Sequence, residues 1–240
     1  MRTNRFTVLI LIALGSLAAA LALAAPRDKN TGDRVWTAPD LAHYPVASIA
    51  LLPPVTFDGS IENRRLVENA VGQALRGSGH RWSSPFLVRD YLIKNGGDSL
   101  LAAVEGKLRK EPRIDSLDAP YLSRILRTRA ILTVRIDQME RRELEADQSG
   151  RPATTVQLKA ALVDSTGRLL WTVASNETLE GAQQEAGGNV IGVKASGLNN
   201  QGVGNTSTAP QFTELLLKIC SRWKEPFPKR AAPDSARSAK

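Results

Sequence analysis

The chain has 240 residues, 42% hydrophobic and 23% charged, which is enough to bury a core in one domain and excludes a chain that is disordered throughout or polytopic. Its single cysteine, Cys220, excludes an intramolecular disulfide framework, so packing must supply the stability. The formal net charge is +8, and the excess is only partly localised.

The first segment, MRTNRFTVLILIALGSLAAALALAAP, places Arg2 and Arg5 ahead of twenty uncharged residues, Phe6 to Ala25, and closes the run with Ala22-Leu23-Ala24. A charged start, an apolar run and a small-x-small end make an export signal over residues 1–25, with cleavage expected after Ala24. Twenty apolar residues also suffice to span a bilayer, so an uncleaved N-terminal anchor is the alternative. Either form places the remainder outside the cytoplasm, periplasmic or associated with the outer envelope. Loss of Arg2 and Arg5 would leave a charge of 8 − 2 = +6. No cysteine ends the apolar run, so lipid attachment is not available there.

Residues 26–45 are polar and proline-punctuated, which predicts an unpacked lead-in or tether. The folded domain is expected over residues 46–225. Its first strand is ASIALLP, continuously apolar and therefore central in a sheet. The helix IENRRLVENAVGQALRG follows, capped by Ser60, with Glu62 at the positive end of its dipole. Leu66, Val67, Ala70, Val71, Ala74 and Leu75 form its apolar stripe, and Gly77 ends it.

A short strand near HRWSS precedes a helix that begins at Pro85 and runs through FLVRDYLIKNG. Asp98 opens a further helix that stops before Pro112, and DAPYLSRILRT supplies another from Asp118. The second half is β-rich: AILTVRIDQMERREL, ATTVQLKAALVD and GRLLWTVASNETL are joined by the turns DQSGRP and DSTG. Leu132, Val134 and Ile136 alternate with Thr133, Arg135 and Asp137, and Val156, Leu158, Ala160 and Leu162 alternate with Gln157, Lys159 and Ala161. Each strand thus has one buried and one wetter face. With the closing helix PQFTELLLKICSRW, the expected fold is an α/β mixed-sheet sandwich: a β-α-β start, then antiparallel hairpins, with helices packed on the sheet.

Two corners imitate phosphate loops. After the first strand stand Pro53 and Pro54, which have no N–H to offer an anion, and Thr56, Asp58 and Gly59 complete an ordinary bend. In GGNVIGVKAS, Gly187 to Ser196, Val193 separates the second glycine from the lysine that a P-loop needs beside it. No cofactor site is expected. His43 and His80 have no ligand-spaced companions and are expected at the surface, so no metal site is expected. Glu143, Glu145 and Asp164 suit strand ends and turn caps better than acid–base catalysis, and the chain is read as having no catalytic residues and not as an enzyme. Trp171 reads as core, whereas Trp36, Trp82 and Trp223 are candidate contact residues. Cys220 lies among Phe212, Leu215, Leu216, Ile219 and Trp223, which predicts a buried, inert thiol, with an intermolecular disulfide or a reactive thiol as the other readings.

The stretch 181–208 is a glycine-rich loop, and Val190, Ile191, Val193 and Leu198 give it apolar side chains that a plain linker would not need. These four are the candidate partner or oligomer contacts. Residues 226–240 form a basic tail, expected to be disordered, with contact to an anionic membrane surface or polymer as its alternative use; nucleic acid is not expected outside the cytoplasm.

In its order of elements the chain resembles the bacterial envelope α/β domain family that includes CsgG, LpoB, the N-terminal domain of TolB and GNA-type lipoproteins. The resemblance rests on VASIALLPP, GHRWSSPFLVRDYLIKNG, LSRILRTRAILTVRI and VQLKAALVDSTGRLLWT, within Val46 to Trp223. It implies an envelope-associated domain that works by binding another protein, without catalysis. An oligomeric secretion or pore-type component and a transport auxiliary or small-molecule binder are the alternatives. The chain departs from many members in lacking a lipobox cysteine, and no membrane-spanning hairpins of a channel are identifiable in it.

Overall fold

The computed structural model describes residues 32–41, 46–186, 189–190 and 207–230, all within the unit Thr31–Lys240. The export segment and His43 lie outside the described residues. Among the described residues no helix is long and apolar enough to cross a membrane.

Nine strands and four α-helices are described: β1 Gly32–Thr37, β2 Ser48–Leu51, β3 Val55–Thr56, α1 Ile61–Leu75, β4 Arg81–Ser83, α2 Pro85–Lys110, α3 Ala119–Leu126, β5 Ala130–Arg142, β6 Ala153–Asp164, β7 Leu169–Glu180, β8 Gln184–Glu185, β9 Asn189–Val190 and α4 Phe212–Trp223, with a 3-10 turn at Arg76–Ser78 after α1. The main sheet runs β1-β7-β6-β5-β2-β4, and β3 also pairs with β5. β2 is parallel to both of its neighbours, whereas β5, β6, β7 and β1 pair antiparallel. This is the expected mixed-sheet α/β sandwich.

Local chemistry sets the element ends. The Ser60 hydroxyl accepts from Asn63 N at 3.2 Å and caps α1, while Asp58 accepts from Ser60 N at 2.9 Å and holds the approach. Ser84 and Pro85 start α2 in the same manner. Gly97 adopts φ 68 within α2, so the span is two helical runs broken where Asp98 was expected to open the second. α3 ends at Arg127, whose φ of 50 is the one positive value among the described non-glycine residues.

The β2-α1-β4 crossover passes over one sheet face and α2-α3 returns over the other. α1 and α4 cover the face that carries Ile49, Leu132, Val134, Leu158, Leu162, Trp171 and Val173, all buried. α2 and α3 cover mainly the β2–β5 half of the opposite face, through Val88, Leu92, Leu108 and Leu122 against Ala50, Leu52 and Ile131, reaching β6 and β7 only at Val163 and Leu169. The other half of that face, on β6 and β7, therefore stays wet, with Thr155, Gln157, Lys159, Thr172, Ala174, Asn176 and Thr178 half-buried in strict alternation.

Three expectations change. The lead-in 26–45 is not wholly unpacked, because its residues 32–37 form β1 on the outer side of β7. The tail 226–240 begins as structure: Phe227 is buried, stacking on Trp82 with 6.0 Å between ring centroids and meeting Trp171 edge-on at 5.1 Å. His80 is 7% exposed rather than a surface residue, with Nδ1 2.7 Å from the Val46 carbonyl oxygen and Nε2 2.7 Å from that of Pro228. It ties the strand before the first crossover to the C-terminal segment.

Candidate interaction surface

The clearest exposed feature of the sheet is its first strand. β1 ends the strand order, and its outer backbone edge has no partner among the described residues. Val35 and Trp36 are 40% and 45% exposed, and as consecutive strand residues they point to opposite faces. Trp36 lies opposite Thr172 and so stands at the margin of the wet β6–β7 face. Of the four tryptophans it is the one open to a partner: Trp171 and Trp223 are fully buried, Trp223 donating from Nε1 to Ser175 Oγ at 2.9 Å, and Trp82 packs against the core.

Charge fixes β1 to the domain. Asp33 Oδ2 and Oδ1 accept from Arg222 Nε and Nη2, and Glu177 Oε2 and Oε1 accept from Arg222 Nη1 at 2.8 Å and Lys218 Nζ at 2.7 Å. Burial pushes both carboxyls up, and the hydrogen bonds and charges of these cations, with a Ser175 hydrogen bond at Asp33, more than offset it, so both titrate below their ordinary values. Asp40 pairs with Arg168 at the other end of the segment. Beneath this network Cys220 is fully buried, and burial first, then the Asp33 charge, pushes its thiol up to about 12.

Of the four candidate loop contacts, Ile191, Val193 and Leu198 lie outside the described residues, and Val190 is placed only as backbone in β9, paired with Gln184. What is described is the base of the loop. Gln184 is fully buried; its Nε2 donates to the carbonyls of Glu145 (2.7 Å) and Gln148 (3.1 Å), and its Oε1 accepts from Ser207 N (2.9 Å). Ser207 Oγ donates to the Ala182 carbonyl at 2.8 Å. Residues 182–184 and Ser207 thus meet at one place, beside the β5–β6 connection.

Among the described residues no group of three or more His, Cys, Asp or Glu side chains is arranged to hold a metal ion. Asp164 accepts from Thr166 N and Arg168 N, which makes it the cap of its own turn. Glu143 accepts from Ala209 N at 2.8 Å and pairs with Arg141.

No protein-family profile matches the chain, and no curated protein matches it. Solved structures do. A PelC dodecamer from Paraburkholderia phytofirmans is 12% identical over 83% of this chain and 99% of that one, with a TM-score of 0.45. Lipoprotein GNA1162 from Neisseria meningitidis is 20% identical over 56% of this chain and 83% of that one, with a TM-score of 0.42. Hypothetical protein CT253 from Chlamydia trachomatis is 12% identical over 61% and 77%, with a TM-score of 0.30. Likenesses of this strength transfer no function.

Proposed function

We propose that the chain is an exported, envelope-associated protein without enzymatic activity that acts by binding another protein, and that β1 with the adjoining wet sheet face is where it does so. The observation that carries this reading is an exposed tryptophan, Trp36, on a strand whose outer edge is unpaired among the described residues. An open edge offers a row of backbone donors and acceptors to an added strand, and an exposed indole supplies a large apolar contact at low entropic cost. Export rests on the charged, apolar and small-residue order of residues 1–25.

Two measurements test it. A photocrosslinking amino acid in place of Trp36, in the native envelope, is expected to give one discrete adduct, while the same group at Glu62 on α1 gives none. An adduct containing only this chain would replace the reading by self-association; no adduct would overturn it. Mass spectrometry of the native protein is expected to find an N-terminus near Ala25, and a protein that retains Met1 is the anchored form.

A further inference from the structure

A cavity of about 460 Å³ opens at the amino ends of the parallel strands β2, β4 and β5, away from β1. Four arginines line it: Arg81 at the start of β4, Arg124 and Arg127 at the end of α3, and Arg129 just before β5. No carboxylate lines it. Elsewhere on the domain six arginines each hold a carboxylate, in the pairs Arg64–Glu105, Arg113–Glu111, Arg135–Asp137, Arg141–Glu143, Arg168–Asp40 and Arg222–Asp33. The four guanidinium groups of the cavity have no hydrogen-bond or ion-pair partner among the described residues.

The hydroxyls divide in the same way. Thr128 Oγ1 donates to backbone carbonyls and Ser48 Oγ accepts from Arg129 N at 3.1 Å, so these two build the wall. Ser123, which also lines the cavity and is 5% exposed, has a buried Oγ with no partner. A buried hydroxyl left without a partner is a cost that a bound group can remove.

Cations at the end of a helix are explained by its dipole, and that accounts for Arg124 and Arg127. It does not account for Arg81 or Arg129, which come from two different strands and converge on the same space. A single guanidinium satisfies a carboxylate with two parallel N–H bonds, whereas four of them with a hydroxyl match the several oxygens and the negative charge of a phosphate group. We propose that this cavity binds a phosphate group carried by a ligand of headgroup size, either free in solution or on an anionic lipid.

The test uses the full chain, as wild type, Arg124→Ala/Arg129→Ala and Arg127→Gly. Glycine relieves the positive φ at 127 while removing a guanidinium, so that variant is expected to melt no lower than wild type. Glycerol 3-phosphate is titrated calorimetrically, and vesicles of phosphatidylcholine with and without phosphatidylglycerol are sedimented with each protein. Glycerol 3-phosphate is expected to bind wild type and to bind the double variant about 10-fold more weakly or worse. A response confined to the vesicles, and reduced in the variants, identifies the lipid source; a response to glycerol 3-phosphate alone identifies a soluble one. Equal binding by all three proteins, no response to either probe, or glucuronate binding as tightly as glycerol 3-phosphate would each overturn the proposal.

Discussion

Arg222 of the last helix donates to both carboxylate oxygens of Asp33 in the first strand, at 2.9 Å each, and its remaining Nη1 reaches Glu177 between them. One guanidinium thus joins α4, β1 and β7. Removing it strands Glu177 and Asp33, so Arg222→Ala is expected to cost about 2 kcal/mol, discounted for the partly exposed guanidinium and for the Lys218 that remains on Glu177. Because both carboxyls titrate below their ordinary values in the folded protein, their contribution is complete above about pH 4 and is lost as pH falls through the folded values. Melting curves of wild type and Arg222→Ala should therefore differ at pH 7 and converge in acid; a gap that stays constant down to pH 2 would mean that the network does not stabilise the fold.

Leu158→Asp is expected to unfold the domain. Leu158 is buried in β6 beneath α4, and the substitution places an unpaired carboxylate in that core, at a cost of several kcal/mol against a total stability of roughly 5–15. Gln157→Asp on the wet face of the same strand should change the melting temperature little. A soluble Leu158→Asp protein with an unshifted circular-dichroism melt would contradict the assigned face.

Gln184 predicts how separable the glycine-rich segment is. Gln184→Ala leaves the Gln148 carbonyl and the Ser207 amide without this partner, the Glu145 carbonyl still accepting from Gln148 N, and is expected to cost about 2 kcal/mol in urea unfolding. Replacing residues 187–206 by a short Gly-Ser link that preserves Gln184 and Ser207 should leave stability nearly unchanged, since the ends already meet and loop length enters only logarithmically. A shortened chain that fails to fold would place that segment in the core.

The thiol of Cys220 should resist alkylation by iodoacetamide at pH 8 in the native protein and react fully in denaturant, because the thiolate is the reactive form and burial holds its pKa at about 12. Stoichiometric labelling without unfolding would show that the helix opens locally.

Wherever burial follows local period, it was legible in the sequence. The buried Leu132, Val134, Ile136, Val156, Leu158, Ala160 and Leu162, the Ser60 cap and the interruption near Gly97 depend on residues a few places apart, whereas Thr133 and Ala161, expected on the wetter face, are buried, with the Thr133 hydroxyl donating to the Pro112 carbonyl. Features made by distant segments were not. GDRVWT is too polar to read as a strand, and it becomes one through backbone pairing with β7 and the bond from Asp33 to a residue 189 positions away. His80 sits in a polar turn whose burial depends on Val46 and on Pro228, 148 residues further on. Arg81 and Arg129 become neighbours only because β4 and β5 flank β2, and no motif announces that pairing.

The place of β1 also sets an order of events. Gly32 pairs with Asn176, 144 residues later (176 − 32), while β5, β6 and β7 pair through the turns between them. Closing so large a loop costs more entropy than closing a hairpin, and non-local pairings form late. β1 is therefore expected to be the last of these strands zipped onto the sheet, and until then the outer side of β7 is an open edge. A chain in that state is the one most exposed to proteolysis and to strand exchange with its own copies, and pulse-labelled hydrogen exchange should find the β1 amides protected after those of β5 and β6.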